Sequence, residues 1–127
     1  MYEDLTKRII GCAFKVYNAM GFGYLESVYE KCLLIELRKA SLTAESKIPI
    51  TVFYEKQIVG EFITDILVED AIIVELKSVR QLAKIHEMQL VNYLVATQKD
   101  LGLLINFGEE KVEVRRKVRV LENFKTG

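Results

Sequence analysis

Gly60-Glu61-Phe62-Ile63-Thr64-Asp65-Ile66-Leu67-Val68, the polar pair Glu69-Asp70, and Ala71-Ile72-Ile73-Val74-Glu75-Leu76-Lys77-Ser78 read as two apolar strands joined by a short turn. The first strand carries a lone carboxylate, Asp65, and the second a Glu-x-Lys triplet. Side chains alternate faces along a strand, so Glu75 and Lys77 project together. A three-residue turn, Glu69-Asp70-Ala71, sets Val68 opposite Ile72. Asp65 then falls opposite Glu75, and Ile63 opposite Lys77. The other face carries Thr64, Ile66, Val68, Ile72, Val74 and Leu76, which is core material. A slip of one residue would part the two acids and break that core. One register therefore serves both packing and chemistry.

Two carboxylates brought together repel, and burial raises their pKa values. A divalent cation removes both problems. Mg²⁺ takes few carboxylates, keeps several waters and suits phosphate chemistry. A neighbouring ammonium such as Lys77 can orient a water or stabilise developing charge. The plainer alternative is a solvated Glu75–Lys77 pair on an open strand face. Glu-x-Lys alone is a weak motif; Asp65 in register is what raises the metal reading to parity with it.

The chain has 127 residues, enough for one domain with one modest core, so residues 1–127 are expected to form a single domain. Half the residues are hydrophobic and 28% are charged, a globular balance. No apolar run is long enough to span a membrane and no signal-peptide pattern is present. Cys12 and Cys32 each sit in a helical pattern and read as small core residues of a reduced, cytoplasmic protein. His86 is the only histidine, which excludes a His-rich metal site.

The formal net charge is zero, which argues against tight non-specific binding to nucleic acid. Charge can still be local. Between Lys111 and Lys125 lie Lys111, Arg115, Arg116, Lys117, Arg119 and Lys125, against Glu113 and Glu122. Arg115, Arg116 and Lys117 are the candidate nucleic-acid contacts. An edge strand that uses cations to block aggregation explains them equally well.

Leu5, Ile9, Cys12/Ala13, Val16 and Met20 recur at helical spacing, and Gly21-Phe22-Gly23 ends that helix. A second helix is expected from about Leu25 to Lys39, with Leu25, Val28, Cys32 and Ile35 on one side. A strand follows over Ile48 to Tyr54, where Pro49 suggests an edge or a strand start. Glu55-Lys56-Gln57 turns into the Asp65 strand. After the Glu75 strand come a helix over Leu82 to Thr97, a strand over Leu101 to Phe107, a turn at Gly108-Glu109-Glu110, and an alternating strand over Val112 to Leu121. The last few residues are expected to fray. The order ααβββαββ predicts an α/β fold, a mixed β-sheet flanked by helices.

Two polar groupings remain. Glu26 and Tyr29 are three apart on the second helix and share a face. Glu26 suits the helix dipole in any case, and Tyr29 suits a core. On the third helix His86, Gln89 and Tyr93 form a polar-tipped stripe. A half-buried stripe with satisfied tips is the simpler account; contact with phosphate, or positioning of the Lys77 strand, is the functional one.

Together these pieces resemble the PD-(D/E)XK nuclease superfamily, and within it the small bacterial and archaeal GxxExxY proteins. Gly23-x-x-Glu26-x-x-Tyr29 spells the latter name. Asp65 and Glu75-x-Lys77 carry the core signature, and Gln89-Leu90-Val91-Asn92-Tyr93 matches the helical Gln-x-x-x-Tyr element. Thr64 stands where the superfamily name has proline. The resemblance runs from about Lys7 to Phe107 and implies a restriction-endonuclease-like core. It implies that Asp65 and Glu75 bind Mg²⁺ or Mn²⁺, with the Leu76 carbonyl as a third ligand. Glu26 would complete the site directly or through water, Lys77 would activate the attacking water, and Gln89, Tyr93 and Tyr29 would support the site or the phosphate. The implied reaction is endonucleolytic hydrolysis of nucleic-acid phosphodiester bonds, DNA foremost. Duplex cleavage needs two sites, which suits a homodimer.

A reading from another class is a binding or accessory module that keeps the fold and acts only with a protein partner; neutral charge and small size favour it. A third is a plain soluble domain with a structural Glu75–Lys77 pair. The position of Glu26 discriminates, because a Glu26 remote from Asp65 and Glu75 would favour the third.

Overall fold

A computed structural model describes residues 1–119 of the chain. The elements follow the order α1 (Glu3–Met20), α2 (Glu26–Lys39), β1 (Ala44–Tyr54), β2 (Gln57–Val68), β3 (Ile72–Lys77), α3 (Lys84–Thr97), β4 (Leu101–Phe107) and β5 (Val112–Val118). The strands form one sheet in the order β1-β2-β3-β4-β5. All neighbours are antiparallel except β3 and β4, which run parallel because α3 crosses over between them. The expected α/β order and mixed sheet are therefore present. Among the described residues no helix is long and apolar enough to cross a membrane.

The sheet is covered on both faces. On one side Ile66, Val68, Ile72, Val74 and Leu76 pack with Ile9 and Ala13 of α1 and Leu33 and Leu37 of α2. On the other Leu67, Ile73 and Leu104 pack with Leu90, Tyr93 and Leu94 of α3. This explains why β3 and β4 read as near-continuous apolar runs. At Gly102 in β4 an added side-chain carbon would stand 2.7 Å from Leu90 Cδ1, so the missing side chain lets α3 seat closely. Gly102→Ala is expected to lower stability by about 1–3 kcal/mol through overpacking. A lower denaturant midpoint at unchanged slope is the predicted result, and an unchanged midpoint would refute close seating.

The β2–β3 turn is the one expected from sequence. Val68 pairs with Ile72, Leu67 with Ile73 and Ile66 with Val74. Glu69 and Asp70 take left-handed φ values of 53° and 52°, and Ala71 N–H bonds the Val68 carbonyl. Pro49 lies on β1, which is an edge strand.

Two expectations need correction, and one falls outside the described residues. The inward face of α2 is not Leu25, Val28, Cys32 and Ile35. Leu25 and Ile35 are exposed, and the helix buries Tyr29, Glu30, Leu33, Leu34 and Leu37. The segment has apolar residues all round, so periodicity alone allowed two phases. β1 begins four residues before Ile48, because Ala44, Glu45 and Ser46 pair with the far end of β2. The described part of β5 ends at Val118; Leu121, Glu122 and Lys125 lie outside the described residues.

Candidate metal centre

The β2–β3 ladder stops at Ile66–Val74, one step short of the acids. Beyond it the side chains replace the backbone partners. Asp65 N–H donates to Glu75 Oε1 at 3.2 Å, and Leu76 N–H donates to Asp65 Oδ2 at 2.7 Å. The buried Thr64 hydroxyl also donates to Glu75 Oε1. The two carboxylates thus hold together the point where the strands part. β2 is loosened on its other side too. Lys47 of β1 lies across from Asp65 between the pairs Ser46–Ile66 and Ile48–Thr64, and takes a left-handed φ of 56°.

Glu75 is buried and Asp65 half-buried. Burial first and the Asp65 charge second push Glu75 up to about 7, against the hydrogen bonds from Thr64 and Asp65 and the charge of Lys77. Asp65 is also raised, by burial first, against the Leu76 N–H; Glu30, Glu26 and Lys77 act on it more weakly, the two glutamates upward and the lysine downward. For both acids burial outweighs the positive charge of Lys77.

That imbalance has a measurable consequence without metal. A carboxyl whose folded pKa exceeds its unfolded value binds more protons when folded. The penalty of ionised Glu75 is fully present above about pH 7 and relieved as pH falls toward 4.5. The metal-free protein is expected to gain on the order of 3 kcal/mol from this group across that window. Glu75→Gln should flatten that part of the stability profile. Equal profiles for the two proteins would show that Glu75 bears no such penalty.

Glu26 sits exposed at the start of α2. The Ser78 hydroxyl donates to the Tyr24 carbonyl at 2.8 Å, tying the loop before α2 to the residue after Lys77. The charge of Glu26 raises the Asp65 pKa, after burial and the charge of Glu30. Tyr29 does not reach the acids. Its hydroxyl donates to the Gly21 carbonyl and accepts the Tyr24 N–H at 3.4 Å, and its ring stacks on Phe107 with centroids 4.3 Å apart. Tyr29 therefore supports the loop that leads into α2 and Glu26.

Tyr93 faces the acids from α3. Burial raises its pKa, and the charges of Glu75 and Asp65 raise it further. Gln89 Nε2 donates to the Tyr93 hydroxyl at 3.0 Å, so these two act as a unit. Lys77 is half-buried, and its charge favours ionisation of both Asp65 and Glu75. The expected cross-strand pair of Ile63 with Lys77 does not form, because the ladder has already opened.

The basic residues of β5 stand apart from this cluster, two strands from β3. Lys117 meets Glu87 at 3.0 Å, Arg115 meets Glu113 at 3.6 Å and Arg116 meets Glu3 at 3.9 Å. This fits the edge-strand reading.

Two residues were missed from sequence. Glu30 is buried on the inward face of α2, with Lys47 Nζ 3.3 Å from its carboxylate, and it raises the Asp65 pKa more than Glu26 does. Its signal was the i,i+4 spacing from Glu26. Asn106, fully buried on β4 beside Lys77, binds both backbone groups of Val79 at 2.8 and 2.9 Å. It fixes the chain just after Lys77, and a lone Asn in an apolar strand gave no specific warning.

Among the described residues no three His, Cys, Asp or Glu side chains are gathered to hold a metal ion. Two carboxylates whose burial outweighs their nearby positive charge still suit a hard divalent ion that keeps its waters.

The comparisons with known proteins agree with this core. No significant match to a curated protein was found. The crystal structure of SSO0001 is similar, with a TM-score of 0.61 at 17% identity, over 98% of this chain and 62% of that one. At that identity the likeness speaks for the fold alone, and this chain spans less than two thirds of the solved one. The profile described as the PD-(D/E)XK nuclease superfamily matches residues 3–117, and the chain belongs to that superfamily.

Proposed function

We propose that the protein is a divalent-metal-dependent nuclease of the GxxExxY kind, hydrolysing nucleic-acid phosphodiester bonds, DNA foremost. One observation carries the reading: Asp65 and Glu75, both with raised pKa values, meet where the β2–β3 ladder opens, beside Lys77. Asp65, Glu75 and the Leu76 carbonyl would hold Mg²⁺ or Mn²⁺, with Glu26 reaching the ion directly or through water. The ion would supply Lewis-acid polarisation of the phosphoryl oxygens. Lys77 orients the attacking water and offsets charge that develops on the phosphate. The Gln89–Tyr93 pair holds the α3 side of the site and offers a hydroxyl to the phosphate.

The test is cleavage of supercoiled plasmid and labelled single-stranded DNA with Mg²⁺ or Mn²⁺. Metal-dependent cleavage that chelation stops is expected. Inert substrates at all metal concentrations would shift the function to the second reading, an accessory module that acts with a protein partner. That reading draws support from zero net charge and from the β5 cations already being paired.

A further inference from the structure

A groove of about 760 Å³ opens between the β1–β2 hairpin and α3. That volume falls in the range of ligand pockets. Val52, Phe53, Phe62, Ile85, His86 and Tyr93 form much of its wall. Phe53 is 61% exposed, Ile85 67% and Phe62 44%, so large apolar faces are open to solvent. The local sequence builds this wall. The β1–β2 register slips between Val52 and Phe53, which brings both residues to the groove. Gly60 leaves room for the Phe62 ring, since a side-chain carbon there would stand 3.0 Å from it. Phe62 in turn meets Tyr93, with ring centroids 5.8 Å apart.

Three features narrow the occupant. First, the groove adjoins the acid pair: Tyr93, which lines it and is bonded to Gln89, also feels the charges of Glu75 and Asp65. Second, among the described residues no Asp, Glu, Lys or Arg lines it, although the adjoining site is acidic. It suits a flat, neutral group rather than a phosphate backbone. Third, His86, Gln89 and Asn92 present polar tips at successive turns of α3. His86 Nδ1 accepts the Ala83 N–H at 3.1 Å, which leaves Nε2 as the ring's donor. Aromatic faces with interspersed amide and imidazole tips match an unpaired nucleobase.

Resting on the nuclease reading, we infer that this groove receives unstacked bases of a single-stranded nucleic acid whose backbone passes over Asp65 and Glu75. Phe53 and Phe62 are the stacking platforms. The substrate class is single-stranded DNA or RNA, or the unpaired end of a flap, and an intact duplex is disfavoured because its bases cannot enter.

The experiment measures binding apart from chemistry. Fluorescence anisotropy with end-labelled oligo-dT, oligo-dA and a duplex of equal length is run in EDTA at low salt, with Mn²⁺-dependent cleavage assayed in parallel. The single strands should bind at least about tenfold more tightly than the duplex. Phe53→Ala and Phe62→Ala should each weaken single-strand binding by about tenfold, and Phe62→Trp should retain it. Both positions are solvent-exposed, so the variants should fold, which circular dichroism verifies. Equal affinity for strand and duplex, or variants that bind like wild type, would overturn the inference. So would a concentration-dependent dimer, seen in sedimentation and lost in Phe53→Ala, because a second copy would then fill the groove. Cleavage without dependence on the phenylalanines would sink the groove and keep the nuclease. Phenylalanine-dependent binding without cleavage would do the reverse.

Discussion

Asp65→Asn is expected to abolish cleavage while leaving the fold intact. The loss should be on the order of a thousandfold or more, comparable to removing a principal stabilising group from an active site. Asparagine keeps an oxygen for the Leu76 N–H, which Asp65 Oδ2 now accepts at 2.7 Å. It removes the charge that raises the Glu75 pKa. The metal-free variant should therefore be at least as stable as wild type at neutral pH. Asp65→Ala is the less clean choice, since it orphans the Leu76 N–H, a defect of about 1–3 kcal/mol when buried. Thermal unfolding and cleavage of single-stranded and plasmid DNA on the same preparation check both halves. An Asp65→Asn protein that unfolds would make the residue structural, and one that cleaves at the wild-type rate would remove it from the site.

Lys77→Ala is the second large effect, and it should separate binding from turnover. Lys77 lies on β3 next to Leu76, and its charge already favours the ionised forms of Asp65 and Glu75. Its removal leaves both carboxylates in place. Metal affinity should change little, or rise, because a competing cation has gone. Cleavage should fall by about a hundredfold to ten-thousandfold, the usual contribution of a positioned acid–base group. Lys77→Arg should not rescue it, because a planar guanidinium cannot replace a compact ammonium. Single-turnover cleavage at saturating Mn²⁺ makes the comparison. Wild-type rates in Lys77→Ala would exclude the lysine from the chemistry.

Much of the centre was legible because strand alternation is rigid. Once Val68 faces Ile72, the positions of Asp65 and Glu75 follow, and the same register fills the core with Ile66, Val74 and Leu76. What alternation cannot foresee is the opening of the ladder beyond Ile66–Val74. That depends on side chains taking over backbone hydrogen bonds and on a left-handed residue at Lys47 in a neighbouring strand. The phase of α2 was illegible for a different reason: the helix carries apolar residues all round, and only the sheet beneath chooses Tyr29, Leu33 and Leu37 over Leu25 and Ile35. Glu30 was lost with that phase, since a residue assigned to solvent is not examined as a buried acid. The groove beside α3 escaped notice because its walls come from the distant segments Thr51–Phe53, Phe62 and Ile85–Ala96.

The proposed chemistry rests on one claim, that the Asp65–Glu75 pair holds a divalent cation. Isothermal titration with Mn²⁺ above about pH 7, where Glu75 is ionised, tests it most directly, with wild type, Asp65→Asn and Glu75→Gln compared. One saturable site in wild type, lost in both variants, is the predicted result. Absence of Mn²⁺ binding by wild type, or binding that survives both substitutions, would contradict it.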